Sequence, residues 1–338
     1  AHCRRKPSAL LMLLFLAASP VFAAQYSGMY DVVSDFGAVG DGLTDDTTAF
    51  QQALSAAQSD GGGLVSVPAG RYLISGCLSV PAQVTVEGQW RAPNGGDSWD
   101  AGSVLLTTWG KGDEGATPFI TLGFNATLKG VTIFYPEQTD TNPPVAYPWT
   151  IRGYEPSVIN QDANLVDVTI VNAYRAVDFG ATGRHYINNL YAQAFRQGLF
   201  VYQCYDVGRV NNVYFGPLWS DGPATAYMRA NGTAFVFSRT DGEQTGNLTA
   251  ESYHTGFRFY RDINGSPSGV TTNARTRDCT IAVDCEYVGS GTWSFANGDF
   301  EGSLWVRPTA KRTIRFLNCR FTALAGQNSH ALLDGPLG

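Results

Sequence analysis

The stretch VVSDFGAVGDGLTDDTTAFQQALSAAQSDGGGLVSVPAGRYLIS, from Val32 to Ser75, decides the fold. Its pattern predicts a strand, a glycine-rich turn, one amphipathic helix and two short strands. Apolar residues recur at helical spacing between Asp46 and Ala57, and a run of glycines from Gly61 ends the helix. One such helix ahead of strand-rich sequence indicates an end cap on an elongated β structure.

Three acidic residues, Asp41, Asp45 and Asp46, cluster just before this helix. Carboxylates can hold calcium, but this loop lacks the regular alternation of oxygen ligands that a calcium site needs. Their position is typical of side chains that accept hydrogen bonds from unpaired amides at a helix start. We therefore interpret Thr44, Asp45 and Asp46 as capping residues.

The segment resembles the N-terminal signature of the pectate lyase superfamily, the group that includes rhamnogalacturonase and epimerase-like proteins. This resemblance implies an all-β fold, a right-handed single-stranded parallel β-helix with an N-terminal capping α-helix. It also implies a polysaccharide as the substrate class. The signature is specific for the fold and says little about the chemistry.

Residues 1–24 have the pattern of a secretory signal peptide, with a basic start, an apolar run from Leu10 to Ala18 and small residues at Ala23 and Ala24. A retained anchor is the alternative, although the run is short for a spanning helix. We expect residues 25–338 to form one secreted β-helix domain, extracellular or periplasmic, with no membrane partner after signal removal. The sequence stops at Gly338 without an amphipathic cap, as a truncated domain would.

The formal charge of −6 at pH 7 argues against a nucleic-acid partner, because phosphate binding relies on clustered cationic charge. The cysteines beyond the signal lack metal-ligand spacing, so no metal site is predicted. We interpret them as small buried side chains, with a Cys279–Cys285 disulfide as the alternative. The oligomeric state stays open.

Four segments share one pattern of a β run, a bend, an apolar residue and a second β run. They begin at Val168, Asn189, Asn212 and Asn247, at spacings of about 21 to 35 residues, which is the range of stacked repeats. Such units bury their apolar sides only by stacking on each other.

Asparagine is a frequent bend residue because it accepts the left-handed conformation and its amide can bond along a stack. Asn172, Asn297 and Asn318 each follow a β run. We predict that all three are structural bend residues.

Aligning the four units places Arg175, Arg196, Trp219 and His254 in one column, each after a residue expected to point inward. Guanidinium groups bind carboxylates bidentately, and an indole face stacks on a sugar ring. The column therefore suits an acidic polysaccharide. The alternative is an ordinary solvated strand face.

The third unit carries an insertion between Trp219 and Thr233 that contains Asp221 and Arg229. Insertions in repeats tend to project on the binding face. We expect this insertion and the connection from Arg261 to Asp278 to wall a groove. Arg175, Arg196, Trp219 and Arg229 are the predicted substrate-binding residues.

Two cleavage chemistries are open. A lyase needs a base, for which Arg196 or His254 is the candidate, and a cation that stabilises the developing negative charge, for which Arg175 is the candidate. Calcium is the cofactor that a lyase could use. A glycoside hydrolase needs two carboxyl groups. The available carboxylates are Asp178, Asp221, Glu251, Asp284, Asp299 and Glu301. The predicted catalytic residues are Arg196, His254 and Asp221.

The NTD, GHG and RIK motifs of polygalacturonases are missing, and so is the Asp-Pro-His-Glu motif of alginate epimerases. The first absence places polygalacturonase activity in doubt, and the second leaves epimerisation as a minor option. Because fold does not fix function, the second hypothesis is a non-catalytic carbohydrate-binding protein, adhesin-like or tailspike-like.

Overall fold

The computed structural model describes residues 28–93, 99–153, 160–288, 292–310, 314–326 and 331–333. The predicted signal peptide, residues 1–24, lies outside them. In the described ranges, no helix has both the length and the apolar character needed to cross a membrane.

Short parallel strands make up most of the chain. The first are β1 (Met29–Asp31), β2 (Asp41–Asp45), β3 (Gly63–Val67), β4 (Gly70–Ile74), β5 (Leu78–Val80), β6 (Val84–Gly88), β7 (Ser103–Thr107), β8 (Ile120–Leu122) and β9 (Thr127–Phe134). The central ones are β10 (Trp149–Arg152), β11 (Asn160–Gln161), β12 (Asn164–Gly180), β13 (Thr182–Gly183), β14 (Tyr186–Tyr202), β15 (Arg209–Phe215), β16 (Thr233–Phe237), β17 (Glu243–Glu251) and β18 (Thr255–Phe259). The last are β19 (Gly269–Thr272), β20 (Arg275–Arg277), β21 (Ile281–Cys285), β22 (Trp293–Ala296), β23 (Asp299–Glu301), β24 (Ser303–Val306), β25 (Ile314–Leu317), β26 (Arg320–Thr322) and β27 (Ala331–Leu333).

Apart from β11 and β13, which pair with each other, these strands form three parallel ladders that run along one axis. Ladder A contains β1, β3, β6, the first parts of β9, β12, β14, β15 and β17, then β19, β22 and β25. Ladder B contains β2, β4, β7, the following parts of the same long strands, then β20, β23 and β26. Ladder C contains β5, β8, β10, the last parts of β12 and β14, then β16, β18, β21, β24 and β27.

Each coil visits the three ladders in turn and pairs only with the coils before and after it. The chain is therefore a right-handed, single-stranded parallel β-helix, which confirms the predicted fold class. One detail was wrong: residues 261–278 are not merely a connection, because they contain β19 and β20, which supply ladders A and B of a further coil.

The core fills the inside of the coils. Alternation along ladder C turns Phe235, Phe257 and Phe259 inward, where each is fully buried. The rings of Phe235 and Phe257 stack with centroids 4.8 Å apart, one coil above the next. Burial of like side chains on successive coils thus links the repeat in the sequence to the stack in the structure.

An α-helix covers the N-terminal end of the stack, as predicted. This helix is α1 (Thr47–Ser59), and a second helix, α2 (Pro223–Asn231), lies in the insertion before β16. The buried face of α1 comprises Ala49, Phe50, Ala53, Leu54 and Ala57. Gly61, at φ +84°, ends the helix: its amide and that of Gly62 donate hydrogen bonds to backbone carbonyl oxygens of the last helical turn.

Only one of the three predicted capping residues of α1 caps the helix. Asp45 Oδ1 accepts the Thr47 amide at 3.0 Å. Asp46 instead accepts two amides of the preceding turn, at 2.6 and 3.1 Å, and Thr44 donates back into that turn. The acidic cluster therefore fixes the turn and the helix start together.

Asparagine bends between ladders A and B form a stack of side-chain hydrogen bonds. Asn297 and Asn318 are confirmed as bend residues, with φ of 57° and 51° and a 2.8 Å bond between their side chains. Asn172 is not one of them: it is buried, and its amide binds the backbone of Tyr135. Further bends of the same kind lie at Asp167, Asn189, Asn212, Asn247 and Asn273.

Asn247→Ala is expected to lower the free energy of unfolding by about 2 kcal/mol, because it loses two side-chain bonds and places alanine in the left-handed region. Asn247 donates to Asn212 at 2.8 Å and accepts from Asn273 at 2.9 Å. Denaturant titration measures the loss, with exposed Gln244→Ala as the control. An equal effect of both changes would contradict the structural role of the stack.

The described cysteines are all free, so Cys279 and Cys285 do not form a disulfide. Cys204, Cys279 and Cys285 are buried, in agreement with the preferred interpretation, while Cys77 and Cys319 are partly exposed.

A buried ion pair ties three successive coils together. His185 Nε2 lies 2.9 Å from Glu243 Oε1, and His185 Nδ1 lies 2.7 Å from the Thr182 carbonyl oxygen. Both acceptors require a proton on the ring, so the imidazole is charged. Burial alone would lower the pKa of His185, but Glu243, with a contribution from Cys204, raises it well above its ordinary value.

Candidate functional site

The outer face of ladder C carries one side chain per coil in a continuous column. The register of the strands fixes its members as Arg152, Asp178, Phe200, Val236, Arg258, Asp284 and Trp305. Successive members are about 4.8 Å apart along the axis, which is the spacing of paired strands. The middle of this column is the floor of a cleft.

The cleft has a volume of about 360 Å³ and contains three guanidinium groups. Its lining residues are Arg175, Arg196, Gln197, Phe200, Thr233, Val236, Arg258 and Tyr260. We call it the arginine cleft.

Two of the arginines are held by carboxylates and aromatic rings. Arg175 pairs with Glu114 at 3.1 Å and lies over Trp149, 5.7 Å from the ring centroid. Arg258 pairs with Glu286 at 2.9 Å and lies 5.3 Å from the centroid of Tyr260. These contacts hold both guanidinium groups in place. Their Nε atoms are buried and have no hydrogen-bond partner among the residues that the structure describes.

Arg196 differs from the other two. Its side chain is exposed, and its Nη1 donates to the Asn231 carbonyl oxygen at 2.7 Å, at the C-terminal end of α2. Within the described ranges, no carboxylate oxygen lies within 4.0 Å of its guanidinium. Because Arg175 and Arg258 are neutralised, Arg196 gives the cleft its excess positive charge.

Aromatic rings lie nearly parallel on the cleft floor. Phe200 stacks on Tyr202 at 4.6 Å and 19°, and lies 6.4 Å from Tyr260 at 15°. Trp149 extends the row, at 6.4 Å and 13° from Phe200. Gly180 permits this packing, since a Cβ there would lie only 1.8 Å from the Tyr202 ring. The cleft therefore combines flat apolar surfaces with donors.

The predicted column is only partly assembled. Arg175 pairs in register with Gln197 rather than Arg196. Arg196 and His254 each directly precede a residue of ladder C, Gln197 and Thr255. These two residues are two coils apart, because both pair with Thr233 on the coil between them. Arg175 and Arg196 meet in the cleft, whereas His254 lies one coil beyond Thr233.

Trp219 is not in the column, which corrects the alignment. It follows β15 outside the ladders and packs against Phe195, with ring centroids 6.2 Å apart. The insertion folds as α2, and the next strand of ladder C starts only at Thr233.

Asp221 and Arg229 form an ion-pair network of their own. Arg229 contacts Asp221 at 3.3 Å and Asp278 at 2.8 Å, and it also donates to Ser252. Neither lines the arginine cleft. The catalytic role of Asp221 and the substrate-binding role of Arg229 stay predictions without support from the cleft geometry.

The carboxylates of ladder C are already engaged. Asp178 binds Arg152 at 3.1 Å, and burial raises the pKa of Asp178 despite this neighbour. Asp284 accepts two bonds from Arg307, at 2.8 and 2.5 Å. The two aspartates stand four coils apart, about 19 Å, whereas hydrolytic pairs lie about 5 to 9.5 Å apart.

The remaining candidate carboxylates, Glu251, Asp299 and Glu301, lie on the outer face of ladder B. Asp299 and Glu301 share its outer face, as their spacing predicts, but Asp299 is held bidentately by Arg320. Glu251 accepts the Tyr214 hydroxyl at 3.2 Å. None of these residues reaches the arginine cleft.

One buried group, His185, Cys204 and Glu243, is close enough to share a metal ion. It does not suit one, because Thr182 and Glu243 accept hydrogen bonds from both ring nitrogens of His185.

Sequence reasoning missed Phe200, Arg258 and Tyr260. The signal was present in the second halves of two repeats, GLFVY and GFRFY, in which the residues between inward aromatic or apolar side chains face outward.

Comparisons with known proteins agree with this architecture. Residues 31–108 match the family described as rhamnogalacturonase A/epimerase, pectate lyase-like. Mannuronan C5-epimerase AlgE1 of Azotobacter vinelandii is 48% identical over 63 residues, which are 17% of this chain and 4% of the epimerase. Alginate lyase 7 of the same organism is 59% identical over 44 residues, which are 13% of this chain and 5% of the lyase. The chain thus spans only a small fraction of these relatives.

The structure of the Streptococcus pneumoniae surface protein and adhesin PfbA is similar along most of its length. It covers 90% of this chain and 88% of its own, with a TM-score of 0.55 and 16% sequence identity. At that identity the likeness establishes the fold alone. The ladders and this structural likeness establish the parallel β-helix fold, and over residues 31–108 the chain is similar to the pectate lyase-like family.

Proposed function

We propose that the chain is a secreted protein that binds an acidic, uronate-containing polysaccharide in the arginine cleft. The observation that carries the proposal is Arg196, whose guanidinium has no carboxylate partner in the described part of the chain and lies beside a row of parallel rings. A sugar carboxylate supplies the missing partner, and the apolar face of its ring stacks on Phe200 or Tyr260. The N-terminal likeness to proteins named for mannuronan and alginate supports the same substrate class.

Calorimetric titration of the secreted chain with hexagalacturonate, hexamannuronate and neutral cellohexaose tests this proposal at the arginine cleft. We expect at least one uronate to bind there, with an affinity that falls as salt rises, because exposed charges are screened. No uronate binding at all, or cellohexaose binding that Arg196→Ala weakens as much as uronate binding, would contradict the proposal.

A second candidate function is cleavage by β-elimination. The geometry favours it over hydrolysis, because the described carboxylates near the cleft are paired with arginines. His254 directly precedes Thr255, the register partner of the cleft residue Thr233, and its Nδ1 lies 3.1 Å from the Thr255 hydroxyl. As base it would take the proton next to the uronate carboxylate, a carbon–carbon double bond would form, and the bond to the leaving sugar oxygen would break, with that oxygen gaining a proton.

His254→Gln is expected to abolish the ultraviolet absorbance of unsaturated products on polygalacturonate or alginate, with or without calcium, and to leave uronate affinity within about threefold. Absorbance that survives in the variant would exclude His254 as the base. New reducing ends without absorbance would indicate hydrolysis. Binding without either product would favour the adhesin-like hypothesis.

A further inference from the structure

Ladder B carries a second row of aromatic rings, on a different face from the arginine cleft. Tyr191 and Tyr214 are register neighbours on its outer side, with ring centroids 6.3 Å apart. Trp90, from the segment after β6, continues the row at 6.2 Å from Tyr191. All three side chains are partly exposed.

The rings are fixed in place by specific contacts. Trp90 Nε1 donates to Thr169 Oγ1 at 2.9 Å, and the Tyr214 hydroxyl donates to Glu251 at 3.2 Å. Gly216 is needed for the Tyr214 position, because a Cβ there would lie 2.4 Å from the Tyr214 oxygen. The Tyr214 ring thus extends along its own strand and covers the sheet surface.

The polar groups beside the rings are balanced in charge. Glu251 pairs in register with Arg277, and Asp299 with both Arg275 and Arg320. With Glu301 on the same outer face, three carboxylates stand against three guanidinium groups. The carboxylates accept hydrogen bonds and the guanidinium groups donate them, which is the mixture that sugar hydroxyls require. A balanced surface offers no advantage to an anionic chain, in contrast to the arginine cleft.

We propose that Trp90, Tyr191 and Tyr214 form a binding platform for a neutral saccharide chain that lies along ladder B. The rings contact the apolar faces of successive sugars, and Glu251 and Arg277 bind their hydroxyl groups. The platform is independent of the function proposed for the arginine cleft, since the two occupy different ladders and select different charge.

Tyr214→Ala tests the platform against a panel of cellohexaose, mannohexaose and xylohexaose measured by calorimetry. We expect at least one of these to bind the unchanged chain, and the variant to bind it about tenfold more weakly. Tyr214→Phe retains the ring and should keep the affinity within about threefold. Phe200→Ala, a matched aromatic change in the arginine cleft, should leave it unchanged.

Equal melting temperatures of the variants show that the fold is intact, and a destabilised Tyr214→Ala is replaced by Tyr191→Ala in the same assay. Failure of all three hexasaccharides to bind would overturn the platform. Loss of neutral binding in Phe200→Ala, with none in the tyrosine variants, would do the same and would assign that binding to the arginine cleft.

Discussion

Arg196→Ala is expected to weaken binding of hexagalacturonate or hexamannuronate by roughly thirtyfold, which corresponds to about 2 kcal/mol for a charge-assisted hydrogen bond. Arg196 is the cleft guanidinium that lacks a carboxylate in the described structure, so a ligand carboxylate gains most there. Arg175 and Arg258 already have acidic partners, and their replacement should cost less. Calorimetry on the folded variants measures all three affinities.

Arg209→Ala is the matched control, because Arg209 is an exposed arginine at the start of β15 in ladder A, away from the cleft. It should change uronate affinity by less than about twofold. Arg196→Lys keeps the charge and loses the bidentate geometry, so an intermediate loss is expected. Equal losses in Arg196→Ala and Arg209→Ala would mean that only the overall charge matters.

Glu243→Gln is expected to lower the free energy of unfolding by about 3 kcal/mol near pH 6, because it leaves a buried imidazolium without its partner. The pair with His185 is fully buried and joins coils that are distant in sequence. Glu87→Gln is the control: Glu87 pairs with Lys129 at 2.5 Å on the surface, where such pairs contribute little.

The pH dependence gives the sharper form of this prediction. His185 has a raised pKa in the folded chain, so its stabilisation is complete below the unfolded pKa of about 6.5 and is lost as pH rises towards the folded value. Without Glu243, burial lowers the pKa of His185 below its unfolded value. The free energy of unfolding of that variant should then rise with pH as far as His185 is concerned. The stability difference between the unchanged chain and Glu243→Gln should therefore shrink above about pH 6.5. A constant difference from pH 5.5 to 8.5 would show that His185 is neutral in the fold.

The sequence was sufficient for the fold because apolar periodicity, turn residues and the repeat all specify the same coils. The α1 cap and the bends at Asn297 and Asn318 follow directly from local preferences. The prediction that Asn172 is a bend residue was wrong, because an asparagine after a β run can equally be a buried side chain that binds the backbone of a neighbouring coil.

The cleft could be predicted only in part, since its residues are related by register rather than by sequence. The sequence alignment matches Arg175 to Arg196, but β12 and β14 pair one residue further along on both sides of an irregularity at Ala173, as Ile170 with Ala192 and Arg175 with Gln197. A register shift of this kind changes which side chains are neighbours without any signal in composition. The insertion that folds as α2 delays the next strand of ladder C until Thr233, so Trp219 of the third unit lies outside the column.

The most direct test of the central claim is a crystal structure of the chain with bound hexagalacturonate or hexamannuronate. We predict sugar rings on Phe200 and Tyr260, with one carboxylate within hydrogen-bonding distance of the Arg196 guanidinium. A uronate bound on ladder B instead, with the arginine cleft empty, would contradict the account.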